Sequence, residues 1–136
     1  MNDCLFCKII AGELPTTKLY EDDQVIAILD IMPVNPGHAL VIPKTHSERM
    51  LETSEEEGAQ VLSVAKRIGK ALLETNLADG VTLSANNGEA SGQTVFHTHM
   101  HVIPRLNGDG LVSWKHGEYE DGEADKIATI VKNQLT

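Results

Sequence analysis

Three of the six histidines fall within five residues, His97-Thr98-His99-Met100-His101. In an extended strand successive side chains point to opposite faces. The spacing therefore predicts a strand with Thr98, Met100 and Val102 on its covered face and His97, His99 and His101 along the other. At ~3.3 Å per residue, the outer two would stand ~13 Å apart at Cα, too far for one ion to hold all three. Two neighbours could share a metal, with nitrogens ~2.0 Å from it. Alternatively, one neutral imidazole serves as nucleophile or base while its neighbours set its tautomer and hydrogen-bond the substrate. The plain reading is a solvated polar face.

Cys4 and Cys7 are the only cysteines. The opening Met1-Asn2-Asp3-Cys4 lacks a basic and then apolar leader, and no stretch has the apolar length of a membrane span, so a cytoplasmic protein without membrane partners is expected. A structural disulfide is disfavoured there. A thioredoxin-like pair needs a preceding strand, and only three residues precede Cys4. The pair reads either as half of a zinc site, completed by His46 or triad histidines, or as two reduced thiols.

A loop that could hold an anion leads into the histidines. Asn86-Asn87-Gly88-Glu89-Ala90-Ser91-Gly92-Gln93-Thr94 can turn several N–H groups toward a phosphate, although it lacks the lysine and spacing of a Walker loop. Beside imidazoles, that arrangement suits in-line attack on phosphorus. Asp30 stands where a strand gives way to a loop, positioned to accept hydrogen bonds from sugar hydroxyls or simply to start a turn. His38 enters the next strand, a place where histidine is commonly structural. With 11 basic against 20 acidic residues, net charge −9 and 4% aromatics, a nucleic-acid surface is disfavoured. Any anionic ligand must be held by local donors.

The elements that position these groups are legible in outline. The 136 residues fit one domain. Leu5, Phe6, Ile9 and Ile10 predict a short helix ending by Gly12 or Pro15. Lys18 to Tyr20 and Gln24 to Leu29 predict a hairpin, followed by a loop stiffened by Pro33 and Pro36, and a third strand over 38–43. Ser54-Glu55-Glu56-Glu57 has capping-box form and opens a long helix reaching about Asn76. Its apolar stripe is expected to be Val61, Leu62, Ala65, Ile68, Gly69, Leu72 and Leu73, with Lys66, Arg67 and Lys70 facing away. Val81 to Ala85 predicts a fourth strand, and Ala124, Ile127, Ala128 and Val131 a last amphipathic helix. Between them, Trp114 and His116 line the site or a dimer contact, or belong to a surface loop packed on itself.

Taken together, His97-Thr98-His99-Met100-His101-Val102-Ile103 resembles the signature of the histidine triad (HIT) superfamily. Asp30-Ile31, Pro36-Gly37-His38, Leu40-Val41-Ile42-Pro43-Lys44, Asn87-Gly88 and Gly92-Gln93-Thr94-Val95 resemble its other motifs in order. The likeness covers roughly residues 4 to 105 and is nearest to bacterial Hit proteins of the Hint-like type; Thr98 departs mildly from an apolar position. It implies an α+β fold, an antiparallel sheet of about five strands with one long helix and short terminal helices. The domain would be residues 1–136, its core about 4–105 and a C-terminal loop and helix over 106–136.

The resemblance also implies a nucleotide hydrolase or transferase acting at the α-phosphate through a covalent nucleotidyl-histidine, without a catalytic metal. The most direct activity would be hydrolysis of purine nucleoside phosphoramidates to the monophosphate; the alternatives are dinucleoside polyphosphate hydrolysis or a nucleotide-binding module with little turnover. By the same resemblance His99 is the nucleophile, His101 contacts phosphate or leaving group, His97 supports the nucleophile, and the Thr94 hydroxyl helps bind. Amides of the Gly92 loop stabilise charge on phosphorus. His38, Asn87 and Gln93 lie near the phosphate, Asp30 binds ribose hydroxyls and Ile31 contacts the base. Cys4, Cys7, His46 and His97 match a zinc set found in some members, which implies structural Zn2+. A homodimer with the sheet continuing across two subunits is implied as well.

Overall fold

The computed structural model describes residues 3–111 and 114–135. Five strands form one antiparallel sheet: β1 (Lys18–Glu21), β2 (Val25–Leu29), β3 (Ala39–Pro43), β4 (Gly80–Ser84) and β5 (Met100–Arg105), in the order β1-β2-β3-β5-β4. Three helices accompany it, α1 (Leu5–Ile10), α2 (Glu55–Glu74) and α3 (Glu123–Lys132). This is the α+β class expected. The fourth strand lies one residue earlier than its sequence pattern suggested.

Strands β2 and β3 are buried on both faces, which is why their sequences run almost continuously apolar. Val25, Ala27, Ala39, Val41 and Val102 pack under α2 through Val61, Val64, Ala65 and Leu72. The alternate residues Ile26, Ile28, Leu40 and Ile42 face the other way and are covered by Phe6 of α1. Histidine chemistry sits on that second face, since His101 pairs with Leu40 across β3 and β5.

Ser54 closes a full capping box with Glu57, as expected from the sequence. Two members of the expected stripe of α2 are instead exposed, Leu62 and Leu73. At ~100° per residue they lie about a quarter turn off the line Val61–Ala65–Leu72, and Val64 takes the inward place.

The histidine segment departs most from expectation. Only His101 belongs to β5, and His97 and His99 precede the ladder. Extending the register beyond Val41↔Met100 would set Thr98 against Pro43, which has no N–H to give. The Pro43 carbonyl is taken by the His97 ring at 2.8 Å, and the Thr98 amide turns to the Ser47 carbonyl, also at 2.8 Å. Pairing stops there, and His97 and His99 reach the α1 face from irregular backbone, where the Phe6 ring meets them at 5.9 and 5.0 Å.

Candidate active site

A cavity of about 520 Å³ opens on the α1 side of the sheet. Its walls are apolar, with Leu5, Phe6 and Ile9 from α1, Leu14 after it, and Ile28 and Leu40 from the sheet. Its polar lining comes from Thr16, Asp30, Asn86, Thr94, His99 and His101. Ile31 and Met32 line the mouth and are 90% and 80% exposed, so a flat apolar ligand would find uncovered surface there. An apolar cavity that also carries imidazoles, a hydroxyl and a side-chain amide fits a molecule with one aromatic and one anionic part.

The hydrogen bonds of the imidazoles determine where their protons lie. His99 Nδ1 is 2.7 Å from the His97 carbonyl, which can only accept, so His99 donates from Nδ1 and keeps a lone pair on Nε2. Burial lowers its pKa, outweighing the His97 carbonyl and Asp30 that raise it, and the Phe6 ring meets it edge-on at 5.0 Å. The result is a neutral, nucleophilic nitrogen at cellular pH. His38 accepts the Val34 amide on Nδ1 at 3.0 Å, hence carries its proton on Nε2 and donates it 2.9 Å to His101 Nδ1. His101 is then left with its proton on Nε2. Burial, then the neighbouring His99 and His38, push its pKa down to about 4, so it acts as a neutral hydrogen-bond donor.

A second cluster lies behind the nucleophile. Cys4 Sγ is 3.4 Å from His97 Nδ1, Cys7 Sγ is 3.4 Å from His46 Nδ1 and 3.6 Å from His97 Nδ1, and the two Nδ1 atoms are 3.1 Å apart. Tetrahedral zinc with bonds of ~2.3 Å to sulfur and ~2.0 Å to nitrogen requires S–N edges of ~3.5 Å and N–N edges of ~3.3 Å. The four residues fit that ion. His97 donates Nε2–H to the Pro43 carbonyl, which leaves Nδ1 free for a metal. The Cys7 amide points at Cys4 Sγ from 3.4 Å. Burial, then the Cys4 thiol, push the Cys7 thiol up, so without a cation it stays protonated. Asp30, His38 and His101 also converge within 4.8 Å. There the Val34 amide occupies His38 Nδ1 and puts a proton on the nitrogen an ion would need, so this group is a hydrogen-bonded relay.

The HIT domain model matches residues 11–108. Adenylylsulfatase HINT3 of Arabidopsis thaliana is 42% identical, over 98% of this chain and 70% of its own length. Adenosine 5'-monophosphoramidase hnt1 of Schizosaccharomyces pombe is 43% identical, over 82% of each chain. The chain belongs to the HIT family. A zinc-bound histidine triad family protein from Mycobacterium smegmatis has the same fold, with TM-score 0.78 and 40% identity over 98% of this chain and 96% of that one. Its family makes this chain a nucleotide-hydrolase type, and the Cys/His cluster a place where zinc is allowed.

Within this HIT domain several residues marked in the sequence stand elsewhere than expected. Asp30, Ile31, Gly92, Thr94, His99 and His101 line the cavity together. Asn87 does not; its side chain accepts the Leu51 amide at 2.9 Å and donates to the Ala85 carbonyl at 3.3 Å. Asn86 is the asparagine that faces the cavity, and in a strand-exit segment a one-residue difference decides which neighbour points inward. Gln93 is buried as a brace, accepting the Gly88 amide at 2.8 Å and donating to the Glu48 and Val95 carbonyls at 2.6 and 3.1 Å. The amides of Gly92 and Gln93 bond to carbonyls of their own loop, at 2.9 and 3.3 Å. His38 does not line the cavity; its Nε2 lies 2.9 Å from His101 Nδ1. Trp114 and His116 are exposed, and neither lines this cavity.

Proposed function

We propose that the protein hydrolyses purine nucleoside phosphoramidates to nucleoside monophosphates through a nucleotidyl-His99 intermediate. The observation that carries this reading is the pair of opposite tautomers: a lone pair on His99 Nε2 beside a proton on His101 Nε2, their rings 5.1 Å apart in the lining of an apolar cavity. The base would lie between Ile31, Met32 and the α1 wall, with the ribose hydroxyls on Asp30. Thr94, Asn86 and His101 would hold the phosphate. His99 Nε2 attacks phosphorus, forming a P–N bond as the bond to the leaving amine breaks; the amine takes a proton from solvent. Water then attacks the same phosphorus, the P–His99 bond breaks, the proton returns to solvent, and His99 emerges neutral. Likeness to an enzyme named as an AMP phosphoramidase supports this substrate class.

The Cys4, Cys7, His46 and His97 set would hold structural zinc, tying α1 to the segment that carries the nucleophile. The working form would be a homodimer. The outer edge of β1 is guarded by the Lys18–Glu21 and Lys44–Glu21 ion pairs and a register shift, while β4, Gly80-Val81-Thr82-Leu83-Ser84, carries no charge. An uncharged edge invites pairing, so β4 is the edge through which the sheet would continue.

The test is nucleotide release from adenosine 5'-phosphoramidate and, in parallel, diadenosine tetraphosphate and adenylyl sulfate, with wild type and His99→Ala. Faster His99-dependent turnover of the phosphoramidate is expected, and its loss in the variant should be at least ~10³-fold. A preference for the dinucleotide or the sulfate would reassign the leaving group, and release independent of His99 would overturn the mechanism.

A further inference from the structure

Two neighbours keep the His38 proton on Nε2 and so set that of His101, the Val34 amide on Nδ1 at 3.0 Å and Asp30 Oδ2 at 3.6 Å from Nε2, and the amide is held from outside the cavity. Asp30 to His38 closes on itself through the Asp30 amide on the His38 carbonyl at 2.9 Å and the His38 amide on the Asn35 carbonyl at 3.0 Å. Its tip is tied to the end of β5 by one side chain. Asn35 Nδ2 donates to the Pro104 carbonyl at 2.9 Å and to Asp109 Oδ2 at 3.3 Å. Asp109 is itself immobilised. Its carboxylate accepts Arg105 Nε at 2.9 Å and Nη2 at 3.3 Å, and the amides of Leu106 and Leu111, both at 3.1 Å. None of Asn35, Pro104, Arg105 and Asp109 lines the cavity.

We propose that Asn35, anchored by Asp109, is a positioning residue that holds the Val34 amide on His38 Nδ1 and so fixes the proton of His101 on Nε2. The chain of cause is short. Without the amide, only Asp30 Oδ2, 3.6 Å from Nε2, still favours the Nε2–H form, and the Nδ1–H form of His38 becomes accessible. In the Nδ1–H form, its Nε2 lone pair would face His101 Nδ1, and His101 would shift its own proton to Nδ1 to meet it. His101 would then turn a lone pair toward the phosphate instead of a donor. The catalytic meaning rests on the function proposed above, but the tautomers can be read without turnover.

Long-range 1H–15N correlation spectra of the imidazoles, in the full chain at neutral pH, report which nitrogen bears each proton. The expected wild-type pattern is Nε2–H for His38 and His101 and Nδ1–H for His99. In Asn35→Ala, His38 and His101 should average between tautomers while His99 keeps its own, and kcat should fall about 10-fold with KM retained. Asn35→Ser and Asp109→Asn carry the same readout should the alanine variant not fold. His38 as Nδ1–H in the wild type, or pure Nε2–H tautomers persisting in the folded variants, would overturn the proposal. An inactive wild type with the expected tautomers and their loss in the variants would instead sink the proposed substrate and leave the positioning role standing.

Discussion

At the scale of single residues, what matters is how each imidazole's environment separates it from its neighbours. His97, His99 and His101 stand at successive two-residue steps yet present a member of the thiol cluster, a lone pair and a hydrogen-bond donor in turn. Because His101 has its pKa pushed down to about 4, below its ordinary 6.5, the unfolded chain binds a proton before the folded one does. Its contribution to stability is therefore fully present above pH 6.5 and is lost as pH falls through about 4. Urea unfolding midpoints measured across that window should fall less steeply in His101→Gln than in wild type. The identity of these histidines was legible from their spacing. Their division of labour was not, because it depends on Pro43, Ser47 and Val34, which lie 51 to 67 positions away and touch the triad or its partner only after folding. Asn86 could have been found by placing the end of β4 one residue earlier; Asn35 and Asp109 had no signal, since an asparagine and an aspartate in glycine- and proline-bearing loops read as ordinary turn residues.

At the scale of elements, α1 and its N-cap Cys4 do two jobs that their spacing combines. Cys4 and Cys7 turn toward His46 and His97, while Leu5, Phe6 and Ile9 form the cavity wall. Removal of metal by a chelator is expected to lower the melting temperature and weaken nucleotide binding together, and Cys7→Ser should reproduce both; loss of one without the other in calorimetry and titration would separate the two jobs. The α2 helix has a sharper dependency at its C-terminal half. Gly37, at φ +101°, sits where an added Cβ would come within 2.9 Å of Leu72 Cδ2. Gly37→Ala should cost about 2 kcal/mol by denaturant unfolding, through strain and displacement of that leucine. The apolar stripes and caps of these helices were readable in advance because they follow from local periodicity. The end of the histidine strand was not, because a proline in the neighbouring strand, and no residue of its own, stops the ladder.

At the scale of the whole molecule, the sheet is buried on two sides in its centre and presents one charged and one uncharged edge. If β4 pairs across a two-fold axis, light scattering should return twice 14.8 kDa, and Leu83→Lys should shift the chain toward one copy. A monomer in the wild type would remove the dimer from the account. Among the described residues, no helix is long and apolar enough to cross a membrane. The central claim concerns the reaction as a whole, that phosphorus is displaced twice, first by His99 and then by water. The stereochemical course at phosphorus tests it most directly, using an adenosine phosphoramidate made chiral with sulfur at the α-position and hydrolysed in 18O-labelled water. Two in-line displacements predict retention of configuration; inversion would mean that water attacks the substrate directly and would contradict the nucleotidyl-His99 intermediate.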